Sequence, residues 1–394
     1  MAEKRGGESD ECQYRVDEAL EIDMAIEVEE QKPGLASHSS ASVDARRASE
    51  MRVRWGLCIL VGLFVSSIIL AVAIGTVGIP SRSIISMLLN HAGVAHFPET
   101  WPTSDETIIL QIRLPRVLAA ALVGAALAVA GVLFQGLLRN PLADPYVIGT
   151  SGGAGLGATL GVLVSAHFSV LGFGAVPALA FLGALGTMVL VYRLSRVAGR
   201  TPVVTLLLAG FAVSIILGYT MSFLLIVNDR LRLNTPFIYS WLLGGISVGR
   251  WAQVGTIAFL VAIGSALAFA LARSLNALSL GEEYAQHLGI SVEPHKAAII
   301  AVGSLLTAAA VSGGGLIGFV GLIVPHFLRL LFGPNHTRLL PLAALGGAAF
   351  LVTADLLART IMPPTELPVG ILTAFVGGPA FLLLLRRSKR EYRF

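Results

Sequence analysis

Asp355 and Arg359 lie four residues apart in ADLLAR, within an otherwise apolar stretch. On a helix that spacing lets a carboxylate meet a guanidinium, and an acid near hydrocarbon is costly without such a partner. The pair reads as a structural ion pair, with a proton or ion relay through Asp355 as the alternative chemistry. Arg113 and Arg116 bracket Leu114-Pro115 with no acid within one helical turn. Two such cations suit an anionic solute, an acidic protein surface or phosphate headgroups. His326 follows Pro325 inside an apolar segment and reads as packing or a helix break rather than a metal ligand. Cys12 and Cys58 have neither metal-ligand spacing nor a disulfide framework. The chain has no G-x-x-x-x-G-K-[ST] sequence, so any nucleotide hydrolysis must come from another polypeptide.

Two polar stretches interrupt the apolar ones. In RNPLADP, Arg139 can close one helix, Asn140 and Pro141 turn the chain, Asp144 can accept N-H groups at the start of the next helix, and Pro145 can stand at its first position. In RSLNALSLGEEYAQHLGISVEPHK, Ser279 followed by Glu282 has capping-box spacing, and Gly289 can end the helix so begun. Tyr284 and Leu288 then share a face, with Glu282, Glu283, Gln286 and His287 covering much of the rest. A capped helix of this kind suits a cytoplasmic partner or a seat on lipid headgroups.

The elements that hold these residues are set by composition. With 55% hydrophobic and 13% charged residues, the chain has more apolar material than a soluble core needs, which predicts a membrane-embedded protein. Residues 1–50 hold 13 of the 24 acidic side chains but 6 of the 28 basic ones, leaving residues 51–394 strongly basic. That division predicts an acidic, disordered cytoplasmic extension over 1–50 and a membrane domain over 51–394. Apolar runs long enough to cross a bilayer, or nearly so, fall at 55–77, 114–137, 145–166, 171–192, 202–227, 251–272, 297–316, 317–332, 338–358 and 368–385. The eighth is short and interrupted by Pro325. Recurrent glycine and alanine predict close helix contacts, hence an all-α polytopic bundle. If residue 55 starts inside, the inside connections carry Arg139, Arg193, Arg196, Arg200, Arg273, Lys296, Arg329 and Arg338 together with the basic C-terminus. This excess of basic residues predicts both termini in the cytoplasm.

Six longer motifs, in order, carry a resemblance. They are QIRLPRVLAAALVGAALAVAGVLFQGLLRNPLADPYVIGTSGGAG, LLLAG, ALSLGEEYAQHLGI, GLIGFVGLIVPHFLRLLFG, ADLLAR and ELPVGILTAFVGGPAF. Over about residues 55–390 the chain resembles the permease subunits of ATP-binding-cassette importers for iron-siderophore complexes, haem and cobalamin. The resemblance implies the type II importer permease fold with ten transmembrane helices in the cell (inner) membrane. It also implies a homodimer of permeases with the path between them, two cytoplasmic ATPase subunits and one extracytoplasmic substrate-binding protein. Iron-siderophore is the leading substrate, haem and cobalamin the alternatives; neither nucleic acid nor a bound cofactor is expected, and ATP and Mg would be used by the partner ATPase. Residues Ser279, Leu280, Gly281, Glu282, Glu283, Tyr284, Ala285, Leu288 and Gly289 then look like the coupling helix, 279–289. Arg113, Arg116 and Arg359 look like the docking arginines, and Arg139, Asn140, Pro141, Asp144 and Pro145 become the cytoplasmic turn after helix two. The acidic extension has no counterpart in the resemblance. Two other classes fit the composition: an ion-coupled secondary transporter using Asp355, and a nontransporting membrane scaffold using the 279–289 helix.

Overall fold

The computed structural model describes residues 32–164 and 172–388. Its helices in chain order are α1 Lys32–Ala73, α2 Ser81–His91, α3 Thr103–Thr107, α4 Leu114–Leu137, α5 Thr150–Val164, α6 Ala175–Ser195, α7 Val203–Val227 and α8 Asp229–Leu233. There follow α9 Thr235–Leu242, α10 Trp251–Ala270, α11 Ala272–Leu280, α12 Glu282–His287, α13 Val292–Gly314, α14 Val320–Phe332, α15 His336–Thr360 and α16 Val369–Ser388. Among the described residues there is no β-strand; an isolated bridge joins Val197 and Arg200. Among the described residues seven helices are long and apolar enough to span a bilayer, and three shorter apolar ones, Thr150–Val164, Val320–Phe332 and Val369–Leu383, occupy the remaining expected spans. Residues 1–31 lie outside the described residues. The helix α1 contains the first membrane span, Glu50–Ala73.

The core is built on α4, α13 and α15, the most buried of the long spans, while α7 is the most exposed. Small residues explain the close contact. A Cβ on Gly124 would strike the Gly347 carbonyl on α15, and one on Gly131 would strike the Gly321 carbonyl on α14. With no side chain between the backbones, dispersion contacts replace the hydrophobic effect that lipid cannot supply. The outward faces keep large apolar side chains, such as Leu208, Phe211, Ile216 and Phe223 on α7, exposed. Lipid or another apolar protein surface can cover such faces.

The turn after α4 departs from the expected hairpin. The helix α5 starts at Thr150, not at Pro145, and Arg139 sits at φ 48, where it reverses the chain. Asp144 accepts the Tyr146 N-H at 2.8 Å, a local turn rather than a helix cap. From the exposed Arg139 and Asn140 the chain folds back into the bundle, and Pro145 lies against Gly321, whose other neighbour is the Leu127 carbonyl. Leu127 is ten residues before the end of α4, about 15 Å along the helix. RNPLADP is therefore a re-entrant segment, with only its first residues at the surface. The reason is length: α5 has 15 residues, about 22 Å, too short for a hydrocarbon core of about 30 Å, and the non-helical stretch supplies the remainder. The helix α14, with 13 residues, is short in the same way and is preceded by the non-helical Gly315–Gly318 and the left-handed Phe319. The two broken crossings meet at their starts, protein against protein, a setting in which irregular backbone is tolerated at membrane depth.

Candidate functional sites at the two ends of the bundle

At the start of α4, the segment Thr103–Leu137 is continuously helical through a π-helical turn, Ile108–Arg113. Arg116 donates to Asp355 Oδ1 at 3.1 Å and to Glu366 Oε2 at 2.7 Å. Arg359 Nε lies 3.0 Å from Asp355 Oδ2, so the expected i, i+4 pair forms and gains a second cation. Asp355 is fully buried, whereas Glu366 remains partly exposed. Arg113, also buried, donates to the carbonyls of Val72 and Val77, and Arg359 donates to that of Ala71 at 3.3 Å. The expectation that Arg113 and Arg116 stand free for an arriving acid is corrected. Residues distant in sequence, from the end of α1 to the loop after α15, enclose and pair them. Glu366 was missed because its partner is 250 positions away; ELPVG marks the residue but not the contact. Ion pairing of Asp355 with two guanidinia also favours the structural reading over a proton relay. Beside this cluster a cleft of about 250 Å³ is lined by Arg116, Glu366, Phe237, Ser240 and Trp241, among others.

At the other end, where Gly136 of α4 packs on Leu275 of α11, the short helix α12 projects. Gly281 (φ 136) and Gly289 (φ 78) flank it, and at each the positive φ rather than crowding calls for glycine. The N-H groups of Gly289 and Ile290 close on Gln286 and Ala285, so Gly289 ends the helix as expected. The start differs. Ser279 belongs to the last turn of α11 and donates to Asn276 O at 2.7 Å, so no capping box forms, and Gly281 takes the N-cap place. Ala285 is fully buried and anchors the helix, while Leu280, Tyr284 and Leu288 are 70%, 67% and 64% exposed. Glu283 is exposed beside them. An apolar patch held on a tethered helix is a surface for a protein partner.

Gln135 joins this end to the re-entrant turn. Its amide donates to Leu322 O at 3.0 Å, with Ala143 O and Gly321 O each at 3.4 Å, and its oxygen accepts from Arg329 at 2.8 Å. Nearby, the buried His336 donates through Nδ1 to Asn276 Oδ1 at 2.7 Å, fixing the start of α15 to α11. We expect Gln135→Leu to destabilise the protein by about 1–3 kcal/mol, because the carbonyls of the broken crossings and the Arg329 guanidinium lose their partner together. Thermal unfolding in detergent, compared with an exposed control such as Gln286→Leu, measures it.

These features define an all-helical, multi-pass membrane protein. The chain belongs to the FecCD transport family, whose model matches residues 63–387. It is 48% identical over 292 residues to the cobalamin import system permease protein BtuC of Halobacterium salinarum, covering 74% of this chain and 76% of that one. It is 40% identical over 292 residues to the Fe(3+)-citrate import system permease protein YfmD of Bacillus subtilis, covering 73% and 84%. A solved inward-facing structure described as a metal-chelate type ABC transporter superposes with a TM-score of 0.70 at 32% identity, over 84% of this chain and 98% of that one. The family is one of transport permease subunits rather than enzymes; ATP is hydrolysed by a separate subunit. Membership also implies an ATPase partner, a substrate-binding partner and pairing of permeases.

Proposed function

We propose that this chain is the permease of an ATP-driven importer for a ferric chelate of siderophore type. The observation that carries the reading is the placement of a tethered, apolar-faced helix at one end of the bundle and a compact charge cluster at the other. The helix α12 is read as the contact for the ATPase, which uses ATP and Mg. A second copy of the permease, two ATPases and one substrate-binding protein complete the assembly. The ferric-citrate relative and the metal-chelate neighbour support the substrate class; the 48% identity to a cobalamin permease supports cobalamin as the second reading. The excess of basic residues on the α12 side supports placing that side, and both termini, in the cytoplasm. The binding protein would meet the opposite end through the more exposed members of the cluster, Arg116 and Glu366, while Arg113 and Arg359 hold them from beneath.

Leu288→Asp is expected to weaken association with the ATPase roughly tenfold or more, because a carboxylate must be desolvated on the apolar contact face. Since Leu288 is exposed, thermal stability of the permease alone should not change. Copurification and stimulated ATP hydrolysis read the effect; unchanged values would remove α12 from the contact.

The whole reading is tested by reconstituting the complex with its binding protein in proteoliposomes and comparing uptake of labelled ferric siderophore, haem and cobalamin. ATP-dependent uptake of the ferric siderophore is the expected result. Uptake of cobalamin or haem instead would replace the substrate and keep the mechanism. Uptake of any of them without ATP would overturn the importer.

A further inference from the structure

Lys296 is 4% exposed near the base of α13. Its ammonium meets oxygens from three places: Glu282 of α12 at 2.8 Å, Glu293 of its own helix at 3.2 Å, and the Thr201 carbonyl at 3.2 Å. Three oxygens match the three donors of an ammonium, which is how a buried lysine keeps its charge. The other oxygen of Glu293 accepts the Thr201 N-H at 3.0 Å, so both backbone groups of Thr201 are held. Thr201 follows the tight turn Val197–Arg200, with Ala198 at φ 49 and Gly199 at φ 79, and Pro202 directly precedes α7.

The surroundings give this link a mechanical meaning. The helix α12 lies between Gly281 and Gly289, where an added Cβ would meet nothing within 4 Å. A displacement of α12 on its own could be absorbed at those two glycines, which have the conformational freedom of hinges. Glu282, the first residue of α12, bypasses the hinge by its bond to Lys296. At the far end of the link stands α7, the least buried of the long spans.

We propose that Lys296 is a positioning residue that carries displacement of α12 to Thr201 and thereby to α7, with Glu282 and Glu293 as its two carboxylate limbs. The inference rests on the reading of α12 as the ATPase contact.

The test uses the full permease with Cys12→Ser and Cys58→Ser, a spin label on Arg200→Cys in the exposed turn, and its ATPase bound in lipid nanodiscs. Distances between labels on the two permease copies are measured with and without ATP and vanadate. The parent should shift on trapping. Lys296→Met and Glu282→Gln should each cut that shift at least fourfold with the ATPase still copurifying, and Lys296→Arg, which keeps the charge, should restore at least half of it. Glu282→Gln leaves Lys296 paired with Glu293 and decides the matter if Lys296→Met fails to assemble. An unmoving label in the parent, a parent-sized shift in Glu282→Gln, or loss of ATPase binding by Glu282→Gln would overturn the proposal. A parent permease that never binds an ATPase would instead sink the importer reading on which it rests.

Discussion

Asp355→Asn is expected to destabilise the folded permease by about 3–5 kcal/mol, the range for removing one partner of a buried ion pair. Asparagine keeps the shape of the side chain and removes only its charge. Arg116 and Arg359, both anchored to Asp355 in the native protein, would then share a buried region without its carboxylate. Glu366 can compensate Arg116 in part, but the structure gives Arg359 no ion pair other than Asp355 among the described residues. Glu366→Gln is the matched control, because that carboxylate is 44% exposed and an exposed pair contributes about 0–1 kcal/mol. Thermal unfolding in detergent and the yield of monodisperse protein should therefore fall much further for Asp355→Asn. Equal effects would mean that water already screens the inner pair, and that the cluster contributes a surface rather than a buried junction between α4 and α15.

Gly131→Leu should be still more disruptive, abolishing a monodisperse product. At this position the first atom of any side chain would overlap the backbone carbonyl of Gly321. Overpacking against side chains typically costs about 1–3 kcal/mol, because rotamers can give way. A backbone carbonyl cannot rotate aside, so α14 must move as a whole, taking with it Gly321, Pro145 and the carbonyls that Gln135 holds. Gly62→Leu makes the same change on the exposed face of α1, where nothing lies within 4 Å, and should be neutral or mildly stabilising through helix propensity. Size-exclusion profiles of the two variants in detergent separate packing from a general intolerance of added bulk. A normal profile for Gly131→Leu would show that the α4 and α14 backbones can separate without loss of the fold.

Both predictions turn on the same physical fact. In lipid, helices gain little from burying apolar side chains against one another, so contacts between backbones and buried charge pairs carry a larger share of specificity. A second consequence concerns the two ends of the bundle. The charges of the cluster pair with one another, whereas α12 presents uncovered apolar side chains. Partner binding at α12 can gain from burial, while binding at the cluster must use what Arg116 and Glu366 leave exposed.

By itself the sequence determined the apolar segments, the membrane environment and the all-helical class, because these follow from local composition and the need to satisfy backbone groups within hydrocarbon. The Asp355 and Arg359 pair was legible for a similar reason, four residues on one helix being a fixed distance, and so was the stop at Gly289. What only the tertiary structure decided was how segments meet. Arg116 was read as free because its two acids come from elsewhere in the chain, and Ser279 was read as a cap because spacing alone does not show that α11 continues through it. The turn after α4 kept its residue types but not its expected path: the shortness of α5, and the fit of Pro145 to a side-chain-free patch at Gly321, draw it into the bundle. Glu282, Lys296 and Thr201 likewise look like separate loop residues in sequence. Their link exists because α12, α13 and the turn before α7 converge in space, and a buried ammonium needs oxygens from all three.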